Sequence, residues 1–101
     1  MRPLTGQDRK YLRSKAQHLK PLVFVGKQGI IDTVITGTDQ ALEAHELIKV
    51  RFVDHKDEKK VLIEELAQAT NSECVGMIGH VGVLYRYQHK EEKRKIEIPD
   101  P

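Results

Sequence analysis

Gly26, Lys27, Gln28 and Gly29 follow the apolar run from Leu22 to Val25 and precede an apolar pattern of helical period. A turn between a strand end and a helix start leaves backbone amides without a helical acceptor, and such amides can receive an anion. The two glycines let the chain turn sharply and approach a sugar-phosphate backbone closely, while Lys27 adds a mobile positive charge at the tip. The chemistry this spacing predicts is a clamp on nucleic-acid backbone. Two glycines three apart are frequent by chance, so context decides. Gly79 to Gly82 repeats the spacing without a lysine and without a helix to follow, and reads as turn chemistry in a hairpin. A Walker A loop is excluded because Gln28, not Ser or Thr, follows Lys27, and a dinucleotide fingerprint is excluded because its three glycines are absent.

Cations surround the loop in sequence. Up to Ile31 there are seven basic side chains against Asp8 alone, and after it ten basic against fourteen acidic, so a net charge of only +2 conceals a basic front. Arg9, Lys10, Arg13 and Lys20 are the phosphate-binding candidates of the first helix and its exit; a helix with a solvated charged side has the same composition. Lys49 and Arg51 share one face of a later strand. Arg86, between Tyr85 and Tyr87, could offer charge and stacking to an unpaired base, although such tyrosines equally suit core or rim positions. The five histidines lack the short helical pairing of metal sites, Cys74 lies in an apolar strand where a thiol is inert, and Glu64 and Glu65 fit a salt-linked helix surface. No catalytic constellation, metal site or cofactor site is expected.

These residues need elements to hold them. Thr5 with Asp8 three residues on approximates a capping box, and Leu12, Ala16 and Leu19 repeat at helical spacing, predicting a helix from about Thr5 to His18 that Pro21 closes. "LVFV" is a short buried strand with two apolar faces, which predicts cover on each side, the first helix on one and later helices on the other. Ile31, Val34, Ile35, Thr38 and Leu42 predict a second helix from about Ile30 to His45, with Gly37 its weak spot. "LIKVRFV" alternates, Ile48, Val50 and Phe52 inward and Lys49 and Arg51 outward. A third helix fits Asp57 to Thr70, and "ECVGMI" with "GVLYRY" form an antiparallel hairpin. Two strand-helix-strand units predict parallel pairing with the second and third helices on one face of a mixed sheet. The tail from His89 reads as mostly solvated, with Ile96 and Ile98 able to dock.

The length, 101 residues, suits one domain, expected over residues 1–98 with a tail at 99–101; 39% hydrophobic and 32% charged residues suit a folded soluble chain. A single cysteine allows no internal disulfide, and no apolar run approaches the roughly 20 residues of a membrane span or forms a signal peptide, so a reducing cytoplasm is the expected setting.

With these blocks in view the chain resembles the YhbY-like family, the stand-alone bacterial form of the CRM domain (chloroplast RNA splicing and ribosome maturation). The resemblance rests on "LRSKAQHLKPLVFVGKQGI", "ALEAHELIKVRF" and "IGHVGVLYRY", and departs from the family at Gly82 and Gly37. It implies an α+β fold, a four-stranded mixed sheet in the order helix-strand-helix-strand-helix-strand-strand, similar to the C-terminal domain of translation initiation factor three. It also implies an RNA-binding ribosome assembly factor, acting on ribosomal RNA or its precursor in large-subunit particles, with its loop at Gly26 to Gly29 and its basic first helix at Arg9, Lys10, Arg13, Lys15 and Lys20. A monomer that binds no small-molecule substrate and no membrane is the expectation. The alternative is a protein-interaction module that docks through the open sheet face.

Overall fold

The computed structural model describes residues 2–99, so Asp100 and Pro101 of the expected tail lie outside the described residues. Thr5 starts the first helix as its sequence suggests. Its hydroxyl accepts from the Asp8 amide at 3.1 Å, and the Asp8 carboxylate accepts from the Thr5 amide at 2.8 Å, a complete capping box. The Arg2 guanidinium also pairs with Asp8, which is buried. Helix α1 spans Gly6–Ala16, two residues short of the predicted end, because the Leu19 amide turns back onto the Ala16 carbonyl ahead of Pro21. There follow β1 (Val23–Val25), α2 (Asp32–His45), β2 (Leu47–Phe52), α3 (Lys59–Ala69), β3 (Glu73–Ile78) and β4 (Val81–Tyr85). The third helix begins later than predicted: His55 is left-handed at φ 55°, and Lys56–Glu58 form a 3-10 turn before α-helical geometry sets in at Lys59.

The sheet has the order β1-β2-β4-β3, with β1 and β2 parallel and β4 antiparallel to both neighbours. Parallel pairing thus holds for the first strand-helix-strand unit only. β3 has the same direction as β2, but β4 lies between them, because the two residues Gly79 and His80 fold β4 straight back along β3. Gly82, Val83, Leu84 and Tyr85 are buried on both faces, as an interior strand requires.

Helices α2 and α3 cover one face. Leu42, Ile63, Leu66 and Ala67 there meet Val23, Val25, Ile48, Val50, Phe52 and Leu84 in the larger core. Helix α1 crosses the opposite face, Leu12 and Ala16 packing on Leu47, Val75, Val83 and Tyr85. It covers only part of that face, so the expected cover on both sides of β1 is not found: Leu22 and Phe24 are 51% and 54% exposed. The segment after β4 is less solvated than its composition suggests. Ile96 and Ile98 pack against the α1 core, and the Arg94 guanidinium lies over the Tyr87 ring at 4.6 Å. The carboxylate of Glu46, fully buried at the end of α2, accepts from the backbone amides of Gln88, Lys95 and Ile96.

Candidate nucleic-acid interface

β1 and β2 are parallel, so the loop after β1 and the loop after β2 emerge at the same end of the sheet, beside the β3–β4 turn. The loop after β1 is a four-residue turn in which the Gly29 amide donates to the Gly26 carbonyl at 3.0 Å. Gly29 has φ 73°, a conformation that needs glycine. Gly26, Lys27 and Gln28 are exposed. The Lys27 carbonyl accepts from His55 Nε2 at 2.7 Å, which fixes the turn from behind, and the Lys27 and Gln28 amides meet no acceptor among the described residues. Ile31 gives α2 no side-chain cap, but Asp32 places a carboxylate in its first turn. The turn thus adds its own anion-receptive amides to those of the uncapped helix start, where the Asp32 carboxylate opposes an anion.

Arg51 is exposed on the open half of the sheet, with no salt-bridge partner among the described residues. It pairs with Phe24 on β1 and Val81 on β4. Lys49, on the same face, is half-buried, and its ammonium reaches the Gln17 carbonyl at 3.4 Å. The start of α3 adds Lys59, whose ammonium donates to the Gly79 carbonyl in the turn beyond β3 and lies 3.1 Å from His80 Nδ1. The His80 imidazole is held below its ordinary pKa, by desolvation first and then by repulsion from Lys59, Lys56 and Arg51. The repulsion follows from the cations gathered at this end of the sheet, and it is second to desolvation.

The first-helix cations divide. Arg9 pairs with Glu73 at 2.7 Å, and Arg13 donates to the Val75 carbonyl at 2.8 Å. Arg13 can lie flat there because residue 76 is glycine: a Cβ would come within 2.5 Å of its Cδ. Both arginines thus sit at the β3 edge of the sheet, whereas the glycine turn extends from the β1 edge, and two strands separate them. Lys10 on α1 and Lys20 in the link to β1 are exposed. Arg86 takes a different place altogether. Its guanidinium is bonded to Asp39, Glu43 and the Thr70 carbonyl, where it ties α2 to the end of α3. Of its flanking tyrosines, Tyr85 is core, its phenol pushed up to about 12 by burial and then by the charge of Glu46.

Burial likewise raises the Cys74 thiol above its usual pKa, so it is not an activated nucleophile. Among the described residues no three His, Cys, Asp or Glu side chains are grouped to hold a metal, and no helix is long and apolar enough to cross a membrane. Phe24, His55, Lys59 and His80 escaped sequence reasoning. An aromatic residue in an apolar run reads as core, and cross-strand neighbours appear only once the strand order is known.

The fold defines a class: an α+β domain whose four-stranded mixed sheet carries two helices on one face and a capped helix on the other. The chain belongs to the CRS1 / YhbY (CRM) domain family, whose model matches residues 4–86. A Bacillus subtilis relative named "Probable RNA-binding protein YqeI" is 41% identical over 97 residues, covering 95% of this chain and 99% of its own. A Haemophilus influenzae protein named "RNA-binding protein" is 34% identical over 100 residues, covering 98% of each. The solution structure of the hypothetical protein SAV1595 from Staphylococcus aureus superposes with a TM-score of 0.82 at 42% identity, covering 96% of this chain and all of that one.

Proposed function

We propose that this chain binds RNA, specifically ribosomal RNA in precursors of the large ribosomal subunit, and acts there as an assembly factor. The observation that supports the reading best is the outward turn Gly26 to Gly29, whose two amides and ammonium meet no partner among the described residues, beside Arg51, which has no salt-bridge partner among them either. The turn receives phosphate oxygens, and Lys27, Arg51 and Lys49 neutralise the chain that runs past it. Lys10 and Lys20 extend the basic surface. Arg9, Arg13 and Arg86 contribute to the fold first. The names of the relatives agree with an RNA partner.

Phosphate contacts make affinity fall with salt, by about 0.7 in log–log slope per contact on a single strand and about 0.9 on a duplex. Lys27→Ala should reduce the slope by about one such step and leave the urea midpoint unchanged, since the side chain is exposed. Filter binding to large-subunit ribosomal RNA over a salt series measures both. An unchanged slope with Lys27 removed sinks the role of the turn. Co-sedimentation of the protein with large-subunit precursors on sucrose gradients, abolished by nuclease, tests the target. A second reading, a protein-docking module, draws on the exposure of Phe24 and Ile78; nuclease-resistant co-sedimentation would favour it.

A further inference from the structure

The half of the sheet that α1 leaves open carries one continuous row of side chains. Phe24 pairs with Arg51, Arg51 with Val81, and Val81 with Ile78, so each of the four strands supplies one residue to a line across the sheet. The apolar ends of the row are far from buried, Phe24 at 54% and Ile78 at 57% exposure, and Leu22 beside Phe24 is at 51%. We propose that this row is a stacking platform for unpaired RNA bases, with Phe24 and Arg51 as its two flat surfaces.

The proposal rests on the RNA-binding reading and adds the form of the RNA. Neighbouring strands lie about 4.8 Å apart, so adjacent row positions can meet one nucleobase or two successive ones. A phenyl ring and a guanidinium plane both stack on bases, whatever the sequence. The charge pattern separates this occupant from a protein. Arg51 stands near the middle of the row with no carboxylate partner among the described residues, so an apolar protein face closing over it would bury an unpaired cation, which is costly. A nucleotide brings its own phosphate to that charge, with Lys49 further along the same strand and the Gly26 to Gly29 turn after neighbouring β1 as further phosphate contacts. Inside a duplex every base face is covered by its stacked neighbours, so the platform favours unpaired over paired RNA.

The test uses two probes, a single-stranded oligonucleotide of about twelve residues and a blunt duplex of the same sequence, with the unmodified chain, Phe24→Ala and Phe24→Tyr. Loss of one base stack corresponds to about a tenfold or greater loss of affinity. Phe24→Ala should lose that for the single strand and under twofold for the duplex, at unchanged salt slope because no charge is removed. Phe24→Tyr should restore single-strand binding. In the unmodified chain the Phe24 ring protons should shift upfield with the single strand and not with the duplex, a readout independent of how the variants fold. Equal loss on both probes, or no loss on either, overturns the platform, and the second outcome returns this face to a protein partner. If the unmodified chain binds neither probe nor ribosomal RNA, the RNA-binding reading itself fails.

Discussion

Removing the carboxylate of Glu46 should detach the C-terminal segment and cost the fold about 2–4 kcal/mol. Glu46 is fully buried and left-handed at φ 64°; its amide donates to the Leu42 carbonyl at 2.8 Å and its carbonyl accepts from the Arg86 amide at 2.9 Å. Alanine at this site keeps those backbone bonds and suffers similar left-handed strain, so Glu46→Ala isolates the side chain. The side chain accepts amides from three residues: Lys95, Ile96 at 3.1 Å and Gln88 at the longer 3.3 Å. Hydrogen bonds to a charged group contribute about 1.5–3 kcal/mol each, but two effects reduce the sum. Burying the carboxylate has its own desolvation cost, and once it is gone the segment can undock and return its amides to water, which caps the loss at the docking free energy. With about 4–8 °C per kcal/mol for a domain of this size, the melting temperature should drop by roughly 8–32 °C. Glu46→Gln keeps the volume but turns a donor toward the amides, and should fall between the two. Urea unfolding gives the free energies, and trypsin cleavage around Lys90 to Lys95 should become fast in Glu46→Ala. A loss below about 1 kcal/mol with an equally protected segment would refute the reasoning.

Two further outcomes concern stability. Gly37 lies inside α2 with open space where a Cβ would sit, so Gly37→Ala should raise the unfolding free energy by about 0.5–1 kcal/mol, read from the urea midpoint; a destabilised variant contradicts it. The Asp8 carboxyl is held well below the usual carboxylate range, by the hydrogen bond from Arg2 first and then by the Thr5 amide. Its stabilising contribution is therefore complete above the ordinary value of 3.8 and is lost as pH falls through the lower folded value. Acid-induced loss of stability should be shallower in Asp8→Asn than in the unmodified chain when urea midpoints are compared at about pH 5.5 and about pH 3.

Local signals carried much of the fold. The capping pair Thr5 and Asp8, the stop at Pro21 and the alternation through Ile48, Val50 and Phe52 each act over a few residues, and each sits where its spacing implies. The order of strands did not follow, because the position of β4 depends on which edge a hairpin joins, a choice made by burial over the whole sheet. The glycine turn was legible from its setting between strand and helix. The surface around it was not: Arg51 and Phe24 are 27 residues apart in sequence and become neighbours only through the register of β1 on β2. Arg86 and Glu46 show the same limit from the other side. Arg86 reads as a candidate for RNA and Glu46 gives no signal in the sequence, yet both are claimed by partners about 40 or more residues away.

Because β4 follows β3 in the chain yet is inserted between β2 and β3, a nascent chain cannot assemble its sheet progressively from the N-terminus. The first 78 residues hold three strands, of which only β1 and β2 pair with each other. A chain cut after Ile78 should therefore show no cooperative melting, because two of its three strands lack the one that joins them.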